Sequence, residues 1–426
     1  MLAAALAVRL TMLFIDTPPL RSDSLTYHKL AMSILSGEYA RDGYPTAFVV
    51  PGYPLFLAGI YSLFGSGETA VRIIQSILDV ATAFLFYLIC RKIFDKRNAF
   101  VALIIFAFFP SNILYTQAIL TETLFGFASM LFLLFVYGDV VQKRPFISGL
   151  LFSTALLIRT SFLLCIVPVA FYLFRSVGSV PEAAGPKTIA GKALLFAAGA
   201  LLVMSPWLIR NKITIGEYVL STQGGSTLWE GSNPRATGTW NKEAADANPL
   251  FEEKDELKAD REFRKQALQF MSENPAKFIE LGFRKIAYLF SSERMAVLYF
   301  SETQPGTRST EVYRRTNPLI LALVNIPYFA VILLGLWGML IPYKKRSLTA
   351  GIVLAWIATV FMFVGLPRYH YVLIPFFVIG TVNLLSAGVS SVLGQRAVVK
   401  IAGALGSLFL LALWSAEFYL LFMKQD

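Results

Sequence analysis

Histidine and cysteine are almost missing from this chain, each occurring twice in 426 residues. The histidines, His28 and His370, are far apart, and there is no His-x-x-x-His or Asp-x-Asp pair. Metal ions are usually held by several such side chains at short spacing, so no metal site and no cofactor are expected. The cysteines, Cys90 and Cys165, lie inside apolar segments. They show no zinc-type spacing and predict no structural disulfide, so cysteine usage leaves the compartment open. Walker-type glycine-rich phosphate loops are also absent, which argues against a nucleotide-driven pump. Charge is scarce as well: 15% of residues carry it, against about 25% in soluble domains.

Apolar residues fill the gap. They make up 56% of the chain, with a mean hydropathy of +0.60. They are gathered into blocks of roughly 17–25 residues, the length a helix needs to cross the hydrocarbon core. Many of the 36 Phe and 18 Tyr residues stand at block ends, as in an interfacial belt. The chain therefore reads as an all-α membrane protein that crosses the bilayer many times. Its net charge of +11 does not point to nucleic acid, because the basic residues form short clusters between apolar blocks, where the positive-inside rule puts them. The first block, Leu2 to Ile15, lacks a basic leader and a small-residue cleavage site, so no cleavable signal peptide is expected. It is short for a span, and a few further residues before Met1 are expected.

About eleven spans are predicted. They run from Leu2 to Ile15, Val71 to Cys90, Ala99 to Tyr115, Thr123 to Val141, Phe146 to Ile158 and Ser161 to Phe174. The others run from Ala193 to Ile209, Leu319 to Ile341, Leu348 to Val364, Tyr371 to Ser386 and Val398 to Phe422. A shorter apolar piece, Tyr53 to Phe64, reads as interfacial or re-entrant. Four basic clusters alternate with these blocks: Arg91, Lys92, Lys96 and Arg97; Lys143 and Arg144; Lys344, Lys345 and Arg346; Arg396 and Lys400. All fall on one side, which the rule assigns to the cytoplasm together with the N-terminus. Lys424 to Asp426 and two large loops, residues 16–70 and 210–318, then face outward from a single polytopic domain, residues 1–426. In the second loop, Lys258 to Met271 has helical periodicity, Asn274-Pro275 breaks it, and Phe278 to Ile286 resumes it. Gly224-Gly225 and Gly231 to Pro234 read as turns. The loop helices either lie on the membrane surface or cover a site at the interface.

Ionisable groups near membrane depth cost free energy and mark candidate sites. Asp23 opens a predicted amphipathic helix, Ser22 to Ser36, with Tyr27 one turn later. It is either a first-turn acid favoured by the helix dipole or a reactive carboxylate. Glu122 stands in Thr121-Glu122-Thr123, where a span begins, and there it needs water, a cation or a ligand. Arg159, Arg210 and Arg368 all fall at outer ends of spans, against the positive-inside trend. Each alone reads as a snorkelling arginine. Together they suit a phosphate, because the guanidinium fork bonds two oxygens at once.

The carrying segments are Ser22-Asp23-Ser24-Leu25-Thr26-Tyr27-His28, Val50-Pro51-Gly52-Tyr53-Pro54, Gly65 and Arg72, and Leu120-Thr121-Glu122. Pro206 to Asn211, Gly224-Gly225 with Leu228-Trp229, and Pro367-Arg368-Tyr369 follow. In this order the chain resembles the GT-C membrane glycosyltransferases. The likeness is to the dolichyl-phosphate-mannose–protein mannosyltransferase-like group, which includes the aminoarabinose transferases. It extends over nearly the whole chain. The resemblance implies a helical bundle that transfers a sugar from a polyprenyl-phosphate donor to a lipid, glycan or protein acceptor. The reaction is then placed at the outer face of the cell membrane, among membrane lipids and without nucleic acid. By the same resemblance Asp23 is the first-loop catalytic aspartate and general base, and Glu122 the second acidic residue. Arg159, Arg210 and Arg368 are implied to hold the carrier phosphate, with Tyr27, His28 and Tyr369 beside them in substrate binding. Direct displacement of a lipid phosphate implies inversion at the sugar C1 without a metal. One departure concerns the acceptor: Ser24 follows Asp23 where protein mannosyltransferases show a paired Asp-Glu. A transporter or flippase of lipid-linked saccharides and a polysaccharide polymerase remain as alternatives. Convergence of Asp23, Glu122 and Arg368 on one outward cavity separates the enzyme from these.

Overall fold

The computed structural model describes residues 1–14, 20–177, 186–298 and 309–423. Ile15 at the end of the first predicted span, Asp16 at the start of the first loop, and Lys424 to Asp426 lie outside the described residues. Helices dominate, and the one sheet among the described residues is a two-stranded hairpin, β1 (Ala40–Arg41) with β2 (Tyr44–Pro45). The first half of the chain forms α1 (Leu2–Thr11), α2 (Asp23–Leu35), α3 (Gly52–Phe64), α4 (Glu68–Ile93) and α5 (Lys96–Ala107). It continues with α6 (Pro110–Tyr115), α7 (Thr121–Tyr137), α8 (Pro145–Leu156), α9 (Ile166–Val177) and α10 (Pro186–Thr214). The large loop holds α11 (Gly224–Glu230), α12 (Lys242–Asp246), α13 (Glu256–Glu273), α14 (Pro275–Leu289), α15 (Arg294–Leu298) and α16 (Ser309–Arg315). The chain then returns through α17 (Pro318–Leu340), α18 (Arg346–Met362), α19 (Ile374–Ala387), α20 (Ser390–Leu393) and α21 (Ala397–Phe418).

The protein is a bundle of helices, many of them apolar. Four helical stretches are long and apolar enough to cross a bilayer: Glu68–Ile93, Ile189–Thr214, Pro318–Leu340 and Ala397–Met423. Each matches a predicted span. The other predicted spans correspond to shorter pieces, and some of them divide. Residues 99–115 were expected as a single helix, but α5 ends at Ala107 and Pro110 opens α6. Proline lacks the N–H that would continue the ladder and is well placed at the first helical position.

Aromatic and small side chains build the main core. Phe86, Phe106, Phe125, Phe132, Phe152, Trp356 and Phe377 are buried in one cluster spanning α4, α5, α7, α8, α18 and α19. At Gly338 and Gly380 the backbones of α17 and α19 approach so closely that a Cβ on either would overlap the other helix. Small residues permit such contact where lipid supplies no hydrophobic drive. A charged pair passed over in the sequence ties α1 to α4. Arg9 Nε donates to Asp79 Oδ2 at 2.8 Å, and both side chains are fully buried.

Two smaller cores shape the outer loops. Ala31, Tyr53, Leu57, Tyr61 and Val71 pack α2 on α3 and α4. Leu228, Trp229, Ala259, Phe263 and Ala267 pack α11 on α13. The predicted loop helices and their break are found: α13 ends at Glu273 and α14 starts at Pro275. Gly224-Gly225 is a correction, because these residues start α11 and do not form a turn. The cause is packing. Gly225 N donates to Asp260 Oδ1 at 2.5 Å, and any side chain at Gly225 would overlap the Asp260 backbone.

Candidate active site

Four segments bring charged side chains together, three of them onto the wall of one cavity and Glu122 behind it. Asp23 is the first residue of α2. Ser24 Oγ donates to the Arg21 carbonyl at 2.8 Å and accepts from Arg21 N at 3.0 Å, which fixes the sharp entry to that helix. Ser22 takes a left-handed φ of 52° there. Glu122 stands in the first turn of α7, and Arg159 follows α8 directly before a short 3-10 turn, Thr160–Cys165. Arg368 and Tyr369 belong to a second 3-10 turn, Pro367–Val372.

This last turn is pinned on three sides. Trp356 Nε1 donates to the Tyr369 carbonyl at 3.0 Å. His370 Nδ1 lies 3.0 Å from the Leu289 carbonyl, and its Nε2 is 2.9 Å from Glu293 Oε2. Tyr371 Oη reaches Asp79 Oδ1 at 3.4 Å. His370 therefore positions the turn from below.

The charges alternate. Arg368 Nη2 is 2.5 Å from Asp23 Oδ2, and Arg368 Nε is 3.9 Å from Glu122 Oε1. Arg159 Nη1 donates to the same Glu122 oxygen at 2.9 Å and to Thr121 Oγ1 at 3.3 Å. Glu122 is 1% exposed and Asp23 39% exposed. One carboxylate is thus sealed behind the arginines, and the other is open to the cavity. The Arg368 charge outweighs burial and holds the Asp23 carboxyl below its ordinary range. Burial, followed by the Asp23 charge, pushes the Tyr27 hydroxyl upward, so it stays protonated. The Tyr369 ring lies 5.3 Å from the Arg159 guanidinium carbon and 5.8 Å from that of Arg368.

The cavity has a volume of about 640 Å³ and is lined by Asp23, Tyr27, Arg159, Arg368 and Tyr369. Its loop-side wall carries Gln223, directly before α11, and Gly224 and Thr227 of that helix. Two predicted candidates stand elsewhere. Arg210 donates to the carbonyls of Thr46 at 2.6 Å and Tyr39 at 2.5 Å, tying α10 to the hairpin. His28 Nδ1 lies 3.0 Å from Tyr61 Oη, between α2 and α3. Neither lines the cavity.

Glu230 is a group that sequence reading missed. Burial, then the Asp23 charge, pushes its carboxyl up to about 7. The available signal was spacing: Gln223, Thr227 and Glu230 recur at i, i+4 and i+7, one face of a helix. Reading Gly224-Gly225 as a turn hid that helix. Among the described residues, no group of three or more His, Cys, Asp or Glu side chains could hold a metal.

The described residues form a helical bundle, apolar enough to cross a membrane, that carries an alternating Arg–carboxylate cluster. Residues 47–209 match the family model described as dolichyl-phosphate-mannose-protein mannosyltransferase, which bears out the resemblance read from the sequence. No curated protein matches the chain. Among solved structures, the apo oligosaccharyltransferase of Archaeoglobus fulgidus is 16% identical with a TM-score of 0.50. The match covers 99% of this chain and 55% of that one, so this chain spans about half its length. The archaeal oligosaccharyltransferase AglB of the same organism, in complex with an inhibitory peptide and a dolichol-phosphate, has 16% identity and a TM-score of 0.48. There the match covers 99% of this chain and 54% of that one.

Proposed function

We propose that this protein is a glycosyltransferase that moves a sugar from a polyprenyl-phosphate donor to a hydroxyl of a lipid, glycan or protein acceptor. The observation that carries this reading is that Asp23, Arg159 and Arg368 line one cavity, with Glu122 bonded to the arginines behind its wall. The family model matched by residues 47–209 supports the lipid-phosphate donor.

The chemistry follows from the arrangement. Arg368 and Arg159 take the donor phosphate between them, and the incoming anion competes with Asp23 for Arg368. Freed from its partner, Asp23 becomes a better base and accepts the acceptor hydroxyl proton. The hydroxyl oxygen bonds to the sugar C1 as the C1–O bond to phosphate breaks. The electron pair passes to the phosphate oxygen, where arginine charge stabilises it. One displacement gives inversion at C1. Glu122 sits behind the arginines and keeps them oriented.

An apolar groove of about 730 Å³ between α9 and α18 suits the carrier tail. Val167, Pro168 and Phe171 face Gly351, Leu354 and Ala358 there. Helix α18 continues into the cavity through Thr359 and Val360, joined there by Leu164 of the 3-10 turn that precedes α9. The basic clusters favour a cavity on the non-cytoplasmic face of the cell membrane.

The test is transfer by the purified protein in lipid nanodiscs, using labelled polyprenyl-phosphate sugars with lipid, glycan and peptide acceptors. Transfer to a hydroxyl with release of the lipid phosphate is expected. Passage of intact donor across proteoliposomes without transfer would favour a flippase.

A further inference from the structure

The face of α11 that lines the cavity is polar along its length. Gln223 and Thr227 are on the cavity wall, and Glu230 follows on the same helical face. Leu228 and Trp229 turn the other way, onto Ala259 and Phe263 of α13. Glu230 stands at the C-terminal end of the strip, and its charge bears on both Asp23 and Tyr369.

The end of α11 is fixed against the segment that delivers Arg368. Gly231 follows Glu230, and a Cβ at Gly231 would overlap the Phe363 carbonyl. Gly365 N donates to the Gly238 carbonyl at 2.9 Å, closing the same junction. Lys285 stands beside Gly231, but its ammonium caps α18 through the carbonyls of Phe361 at 3.1 Å and Met362 at 3.3 Å. Arg264 of α13 is held by Asp260 at 2.7 Å. Asp23 and Glu122 each have an arginine, whereas no ion pair reaches the Glu230 carboxyl among the described residues.

We propose that Gln223, Thr227 and Glu230 form a sugar-binding strip on α11, with Glu230 holding hydroxyls of the sugar being transferred. The assignment rests on the glycosyltransferase reading above. Arg159 and Arg368 occupy the helix-bundle side and suit the phosphate, while Arg41 of the hairpin and Arg264, held by Asp260, also line the cavity. A sugar joined to that phosphate projects toward the loop side, where α11 offers an amide, a hydroxyl and a carboxyl. A carboxyl there repels phosphate and attracts hydroxyl donors. With Glu230 pushed up to about 7 by burial, the group both donates and accepts hydrogen bonds at neutral pH.

Binding to the protein in nanodiscs separates the two readings. The probes are bare undecaprenyl phosphate and polyprenyl-phosphate mannose, glucose and arabinose, followed by tryptophan fluorescence, since Trp356 lines the cavity. Glu230→Ala should weaken the preferred sugar-bearing lipid about 10- to 100-fold and leave the bare carrier within about twofold, as expected when a site loses a polar partner for hydroxyls. Glu230→Gln and Thr227→Val should give smaller losses of the same pattern, and they carry the test if the alanine variant does not fold. Equal weakening of the bare carrier would overturn the proposal, as would wild-type protein that binds no sugar-bearing lipid more tightly than the bare one. An effect confined to the acceptor KM would also overturn it. Failure of bare undecaprenyl phosphate to bind wild-type protein would instead remove the donor reading, and the strip with it.

Discussion

Arg368 touches two carboxylates at once, Asp23 Oδ2 at 2.5 Å and Glu122 Oε1 at 3.9 Å. They differ in what surrounds them, since Asp23 faces the cavity and Glu122 is sealed. A base must reach the substrate, so in the proposed mechanism the exposed member is the base and the sealed member the anchor. Asp23→Asn should reduce transfer by about 10²- to 10⁴-fold, the usual span for a general base. Carrier binding should persist, because the arginines remain. Single-turnover rates with labelled donor read this directly, and near-normal transfer by a correctly folded variant removes Asp23 from the role.

Removing Glu122 should be a stability event first. Its carboxylate is 1% exposed and bonds Arg159 at 2.9 Å. Breaking one partner of a buried pair leaves a charge uncompensated and costs about 3–5 kcal/mol. Glu122→Ala should therefore lower the melting temperature in detergent, and Glu122→Ala with Arg159→Leu should recover part of the loss. A double variant no more stable than Glu122→Ala would show that the pair is not coupled.

Arg210 is expected to separate from the other arginines. Its guanidinium serves the Tyr39 and Thr46 carbonyls and packs 5.2 Å from the Trp207 ring. Arg210→Ala should destabilise the hairpin and its contact with α10, read as faster proteolysis of residues 39–48. Affinity for undecaprenyl phosphate should stay within about threefold of wild type, while Arg368→Ala loses about tenfold or more, the scale of a charge-assisted hydrogen bond. Equal losses in both variants would put Arg210 back at the phosphate.

These contrasts show what the sequence could carry. Block length and charge alternation placed the four longest spans, because hydrophobic length is a local property. The loop helices α13 and α14 were legible from their periodicity and the Asn274-Pro275 break. Long-range pairing was not legible. Nothing local to Arg9 reveals Asp79, and nothing local to His370 reveals Glu293. Arg159, Arg210 and Arg368 looked equivalent because each ends a span; only packing shows that two meet carboxylates and one meets carbonyls. Glu230 was lost to a glycine pair that reads as a turn and instead begins a helix to fit Asp260.

The groove gives a steric test. Gly351 lies on α18 against Pro168, and Ala355 and Ala358 line the groove on the same helix. Ala355→Trp should fill the groove and block a polyprenyl tail without touching the arginines. Use of a long-chain donor should fall at least about tenfold, whereas a short-chain analogue that does not reach the groove should keep its rate, since overpacking acts only where volume is needed. Equal loss with both chain lengths would place the tail elsewhere.

Glu230 gives a prediction in pH. Burial and the Asp23 charge push its carboxyl up to about 7, above the unfolded value near 4.3. Between those values the folded protein binds more protons than the unfolded chain, so stability falls as pH rises. The favourable contribution is complete below the unfolded value and is lost as pH passes through about 7. Glu230→Gln removes this dependence. Its melting temperature relative to wild type should therefore rise between pH 5 and pH 8, by an amount equivalent to roughly 3 kcal/mol at most. Lys285, already committed to the Phe361 and Met362 carbonyls, should not mask the effect. A constant offset across that pH range would mean that Glu230 titrates as an ordinary surface carboxylate, and the loop-side wall of the cavity would then be wet.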